Sequence, residues 1–161
     1  MTLRKRAEAM TPRGSHTMSK RPASYPIDGE RFAERGDGAW LTATDGTRYL
    51  DFVCSLGATT LGYGHPAITD AVIEQVRSGG LFSLPHRLEI EVAERLCDVI
   101  PCAENIRFVK TGSEACAAAA IIARSYTGRN IILCADADYH GWHDGFRVMA
   151  DHHPGVPDGM K

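Results

Sequence analysis

The sequence predicts an α/β fold, in which a βαβ unit with parallel strands follows an amino-terminal arm and a β-hairpin. Three observations carry this reading. An Asp45-Gly46 pair separates two β-rich runs, residues 39–44 and 47–53, and the pair suits a tight turn whose central residues need positive φ. Residues 115–126 are strongly helix-prone, and short apolar runs flank them at 106–109 and 130–135. Strand, helix and strand within about thirty residues make a crossover unit, which closes right-handed.

In chain order, residues 1–38 hold much Pro, Gly, Ser and Arg without helical or strand period, and read as a largely irregular arm. The hairpin and a glycine-rich loop (Gly57 to Pro66) fill 39–65, and glycine there permits unusual backbone angles or close ligand approach. A helix is expected over 67–77, with Ile68, Ala71, Val72 and Val76 on one face and Gly79-Gly80 ending it. A second is expected over 88–99, with Leu88, Val92, Leu96 and Val99 inward, stopped by Pro101. The run 130–135 is continuously apolar, as in a strand covered on both faces. Residues 66–161 thus read as the start of a larger α/β domain.

Composition narrows the function classes. The 161 residues carry 18 Lys plus Arg against 20 Asp plus Glu, a formal charge of -2, which gives nucleic acid no basic surface. With 43% apolar and 24% charged residues the chain has ordinary globular composition. No apolar run approaches the ~20 residues of a membrane span. The basic amino terminus is not followed by the apolar stretch of a secretory signal, so a cytoplasmic location is expected. The five cysteines form no CxxC pair, which fits neither a disulfide framework nor a zinc knuckle. Cys97 and Cys116 lie in apolar helical patterns and read as small buried hydrophobes.

The turn Lys110-Thr111-Gly112-Ser113-Glu114 is the most informative local feature. Thr111 and Glu114 have capping-box spacing. Gly112 admits a ligand close to the backbone, and free N–H groups at the positive end of a helix make an anion site suited to phosphate. The same five residues also fit a well-capped helix with no ligand, and they match neither GxGxxG nor GxxxxGK[ST]. A second loop, Asp136 to Asp144, follows the last strand. Ligands in α/β sheets bind beyond the carboxyl ends of strands, where both loops are expected to converge. Tyr139, His140 and Trp142 could stack on a planar ring. The acids and histidines of that loop match no established metal-ligand spacing, so no metal site is assigned.

Taken in order, these motifs resemble the class III aminotransferases dependent on pyridoxal phosphate (PLP), in particular the glutamate-1-semialdehyde aminomutase-like branch. The residues that carry the resemblance are Arg13-Gly-Ser-His16, Gly38-Ala-Trp40, Asp45-Gly46, Tyr49-Leu-Asp51, Leu61-Gly-Tyr-Gly-His-Pro66, Arg107-Phe-Val-Lys-Thr-Gly-Ser-Glu-Ala115, Ala123 to Arg129 and Tyr139-His-Gly141. The resemblance implies the start of a fold type I PLP-transferase large domain. It implies cofactor binding by Thr111, Gly112, Ser113, Tyr139, His140 and Gly141, with Gly112 and Ser113 cradling the phosphate and Tyr139 covering the ring. It places Ser55, Gly57 and His16 near the substrate, a small-molecule amino donor or acceptor that these motifs do not specify. It further implies a homodimer in the complete enzyme. The family's Schiff-base lysine and its pyridine-nitrogen aspartate fall well downstream of these motifs. None of Lys5, Lys20, Lys110 and Lys161 stands in the matching context, so no catalytic residue is assigned. The chain is expected to be an incomplete portion, inactive alone, with apolar faces uncovered. The alternative is a non-catalytic half-chain or remnant that binds a phosphorylated ligand or a complementary chain.

Overall fold

A computed structural model describes residues 1–21, 24, 25, 32–135 and 138–146. The chain divides into two compact units, Met1–Ser83 and Leu84–Lys161. Residues 66–83 therefore group with the amino-terminal unit rather than with the following α/β region.

The first unit opens with helix α1 (Leu3–Met10), where the Thr2 hydroxyl accepts the Lys5 amide and Arg4 pairs with Glu8 at 3.0 Å. Three strands follow, β1 (Ala33–Asp37), β2 (Trp40–Ala43) and β3 (Arg48–Leu50), in an antiparallel sheet of order β1-β2-β3. Asp37 faces Trp40 across the first pair, and Trp40 faces Leu50 across the second. The Arg48 guanidinium lies 4.8 Å from the Trp40 ring centroid, a contact that lets a charged side chain cover an aromatic face. Ala43 is the one buried hydrophobic residue of the described chain.

Two expectations for this unit are corrected. The stretch 1–38 is not without regular structure, since it holds α1 and β1. Neither element buries a face: α1 has no buried residue and β1 is an almost wholly exposed edge. Hydrophobic periodicity reports burial, so it carried no signal there. The hairpin turn also closes differently. Among Asp45 and Gly46 only Gly46 takes positive φ, at 86°. Asp45 instead accepts the Thr47 amide on Oδ1 at 2.9 Å, and this side-chain turn replaces the second left-handed residue.

Helix α2 (Pro66–Ser78) begins on a proline and ends at Gly79, φ 116°. The Gln75 amide closes it by donating to the Gly79 carbonyl at 2.8 Å. In the second unit, α3 (Arg87–Val99) starts on a His86/Glu89 capping box and α4 (Gly112–Thr127) on a Thr111/Glu114 box. The three central helices thus fall within three residues of their expected bounds at every end.

The expected strands at 106–109 and 130–135 are not formed as strands. Among the described residues the only sheet is the three-stranded one of the first unit. A strand exists by pairing, and the described segments offer these two runs no ladder partner. Their apolar side chains stay in water: Leu133 is 93% exposed, and Ile131, Phe108 and Val109 are exposed with it. The same holds for Val72 and Val76 on α2 and for Ile121 and Ile122 on α4. All five cysteines are free thiols. No helix among the described residues is long and apolar enough to cross a membrane.

Gly128 closes α4 in the left-handed conformation, φ 68°, with open space where a Cβ would lie. Gly128→Ala is therefore expected to destabilise the end of α4 by about 1 kcal/mol through backbone strain alone. Faster amide exchange at Gly128 and Arg129, with α2 unaffected, is the measurement that checks it.

Candidate functional site

The start of α4 is built from its own capping residues. Thr111 Oγ1 accepts the Glu114 amide at 3.2 Å, and Glu114 Oε2 accepts the amides of Thr111 at 3.0 Å and Lys110 at 2.8 Å. The Glu114 carboxylate is thereby held at the preceding backbone. The amides of Gly112 and Ser113 have no acceptor among the described residues. A 16-residue helix with two such donors concentrates positive potential at this end.

A distant segment closes one side of this end. The Trp142 amide donates to Ser113 Oγ at 3.1 Å across 29 residues of sequence. Ser113 Oγ acts as acceptor in that bond, which leaves its own proton to donate outward. Gly141 is buried at φ 113°, and a Cβ there would sit 2.7 Å from Ser113 Oγ and 2.8 Å from Ser113 Cα. Gly112, by contrast, has open space beside it. Two amides and one hydroxyl thus lie as donors at the helix start, a set suited to a tetrahedral dianion.

Tyr139 and Trp142 flank this contact with exposed rings, 66% and 73% accessible. The His140 ring lies against Phe146, centroids 6.2 Å apart, and its Nε2 is buried with no hydrogen-bond partner. Thr111, Gly112, Ser113, His140 and Gly141 therefore occupy one neighbourhood, with Tyr139 at its rim. Asp136 lies outside the described residues. Among those described, no three His, Cys, Asp or Glu side chains gather as metal ligands.

The other residues singled out in the sequence belong to the first unit. His16 is exposed after the turn Pro12–Gly14. Ser55 and Gly57 lie in the turn Cys54–Gly57, where four consecutive residues take positive φ: Cys54 49°, Ser55 51°, Leu56 60° and Gly57 89°. Three of these carry a Cβ, and each costs roughly 1–2 kcal/mol in that conformation. Strain of this size persists only where neighbours impose it.

The neighbours are Asp51 and Tyr63, neither of which sequence reasoning marked for this role. Asp51 Oδ1 accepts the amides of Val53 at 2.9 Å and Cys54 at 3.3 Å, and Oδ2 accepts the Tyr63 hydroxyl at 2.5 Å. Tyr63 is itself fixed by two backbone hydrogen bonds with Gly38, of 3.0 and 2.8 Å. Its ring occupies the space a side chain at Gly36 would need. The carboxylate thus gathers the turn from one side and the phenol holds the carboxylate from the other. With Cys54 and Thr59 they wall an open hollow of about 270 Å³. The Asp51–Tyr63 contact spans 12 residues, and no local pattern announces it.

Tyr63 is the main cause that holds the Asp51 carboxyl below the usual aspartate range, with the Val53 and Cys54 amides adding to it against desolvation. Asp51 in turn raises the Tyr63 phenol, while the Ser55 and Thr59 hydroxyls pull it down. A depressed carboxyl contributes stability above its unfolded pKa and loses it as pH falls through the folded value. A raised phenol contributes below its unfolded pKa and loses it as pH rises through the folded value. Protection of the Val53 and Cys54 amides is therefore expected to fail on the acid side below the ordinary aspartate range. Asp51→Asn should make that protection weaker and independent of acid pH, as read by amide exchange across a pH series.

Gly141→Ala tests the other site. The methyl group has no room against Ser113, so the Trp142 bond should break at a cost of about 1–3 kcal/mol. Loss of protection at the Trp142 amide, with the α4 caps intact, is the expected outcome.

Comparison with known proteins adds the following. A family model described as aminotransferase class-III matches residues 24–160. The glutamate-1-semialdehyde 2,1-aminomutase of Myxococcus xanthus is 39% identical over 96% of this chain and 38% of its own length. That of Sulfurisphaera tokodaii is 44% identical over 74% of this chain and 28% of its own. Among solved structures, an omega-transaminase from Sphaerobacter thermophilus superposes with a TM-score of 0.86 at 33% identity, over 98% of this chain and 39% of that one. The FumI protein of Sphingopyxis sp. MTA144, in its PLP internal aldimine form, gives 0.87 at 30% identity over 98% and 37%. The chain thus spans an amino-terminal portion, between 28% and 39%, of these relatives.

Proposed function

We propose, for a chain that belongs to the class III aminotransferase family, that the start of α4 is the phosphate seat of PLP and that the protein serves amino-group transfer to or within a carbonyl substrate. The family is PLP-dependent and its structures are fold type I transaminases. The observation that carries the reading is the Trp142–Ser113 hydrogen bond with Gly141 packed beneath it. It orients the Ser113 hydroxyl as a donor and seats the aromatic segment 139–142 beside two unclaimed amides.

Each residue then has a physical task. The Gly112 and Ser113 amides and the Ser113 hydroxyl bind phosphate, and the helix start favours its charge. Thr111 acts indirectly by fixing the first turn of α4. Tyr139, exposed at the rim, covers one face of the planar ring, and His140 Nε2 offers a hydrogen bond at the same wall. When bound, PLP supplies the electron sink that makes bonds at the amine-bearing carbon labile. Ser55 and Gly57 border the amino substrate from the strained turn, and His16 lies on the arm before them.

None of the four lysines takes the Schiff-base position in this reading, so the chain by itself binds and orients but does not complete transfer. The work is shared with the remaining portion of the family's fold, as a homodimer in the complete enzyme. A complementary chain is supported by one observation of its own, the uncovered apolar surface of α2, α4 and the unpaired runs. The five free thiols fit a reducing, cytoplasmic setting.

Inorganic phosphate and PLP, each titrated into the isotope-labelled chain, test the assignment. Both should shift the Gly112 and Ser113 amide resonances, and Ser113→Ala should weaken binding at least tenfold, the value of a hydrogen bond to a charged group at about 1.5–3 kcal/mol. PLP should keep the absorbance of the free aldehyde. Resonances at Gly112 and Ser113 that do not respond to either probe would overturn the assignment.

A further inference from the structure

The hydroxyl chain in the first unit has a direction. Asp51 Oδ2 accepts from the Tyr63 hydroxyl at 2.5 Å, and Tyr63 has a single proton, so that proton is committed. The Ser55 hydroxyl lies 3.3 Å from the Tyr63 oxygen. With the phenol proton directed at Asp51, Ser55 must be the donor in that pair. In that bond its own proton points at Tyr63, and Ser55 Oγ turns lone pairs outward to a ligand. The strained turn Cys54–Gly57 keeps Ser55 exposed in this orientation, and the Asp51 carboxylate stands behind the relay as its fixed negative charge.

We infer that Tyr63 and Asp51 are positioning residues that make Ser55 an obligate hydrogen-bond acceptor, and that Ser55 thereby selects the N–H-bearing amino or ammonium end of the substrate. The inference rests on the reading that this turn borders the amino substrate, and it adds the chemical group that Ser55 takes. A hydroxyl free to rotate would serve a carboxylate or an amine equally. Here the relay fixes one polarity, and a carboxylate at Ser55 would meet lone pairs with a negative charge behind them. Tyr63 never touches the substrate in this arrangement. It acts through the proton that it withholds from Ser55.

The test uses the whole 161-residue chain with three small probes. They are n-butylammonium, its N,N,N-trimethyl derivative of equal charge but no N–H, and butyrate. The Ser55 and Leu56 amide resonances are followed for all three. The expected result is a response to n-butylammonium at least fivefold stronger than to the trimethyl derivative, and none to butyrate. Tyr63→Phe keeps the ring over Gly36 but frees the Ser55 proton, and should let butyrate produce a response that the unaltered chain lacks. Ser55→Ala should abolish the difference between the two cations while leaving the Val53 and Cys54 amides bound to Asp51. It therefore decides the matter even if Tyr63→Phe loosens the turn. An equal response to both cations in the unaltered chain, no response, or a preference that survives Ser55→Ala overturns the inference. Inorganic phosphate added to the same samples reports separately on Gly112 and Ser113. A phosphate response without amine selectivity defeats the Ser55 inference alone, whereas amine selectivity without a phosphate response defeats the cofactor reading and leaves the relay standing.

Discussion

The contact between Ser113 and the Gly141–Trp142 backbone is the constraint on which the candidate cofactor site depends. Helix α4 supplies donors and a dipole from its own sequence, but a helix start open on all sides holds an anion only weakly against water. Segment 139–142 walls one side of it. Gly141 is needed because Ser113 fills the space that any Cβ would take, and the Trp142 amide decides which way the Ser113 proton points. The capping carboxylate of Glu114 is meanwhile tied to the amides of Lys110 and Thr111.

The first unit solves a different problem with similar means. Its turn Cys54–Gly57 adopts a backbone that three of its four residues disfavour, and one carboxylate with one phenol offset the strain. Hydrogen bonds to a charged group are worth about 1.5–3 kcal/mol each, comparable to the conformational cost of the residues they hold. The cost and the compensation both lie in a segment that flanks the glycine-rich loop. A strained turn in a segment with no mechanical need for it is characteristic of a site that positions atoms.

Burial separates the two units' local order from their global order. Caps, the hairpin and helical hydrogen bonds form from neighbours in sequence, and the capping boxes of α3 and α4 are both in place. The apolar faces of α2 and α4 and the runs at 106–109 and 130–135 need partners far away in sequence, and in this chain they remain exposed. The relatives extend well beyond the matched portion.

What the sequence determined by itself was everything governed by short range. The Thr111-x-x-Glu114 spacing placed a capping box that formed as read, Gly79 and Gly128 marked two helix ends, and the helix bounds followed from apolar period and Pro101. The ordered motifs also placed the chain in its family. Some local devices left no readable pattern, and tertiary structure decided the remainder. Helix α1 and strand β1 bury no face and so leave no periodic trace. Asp45 replaced a left-handed residue with a side-chain hydrogen bond. The two apolar runs read as parallel strands found no ladder partner among the described segments. Asp51 with Tyr63, and Ser113 with Gly141, meet across 12 and about 30 residues of chain. Such pairs are invisible in sequence because a contact between distant residues depends on where the whole intervening backbone goes, and no local preference encodes that path.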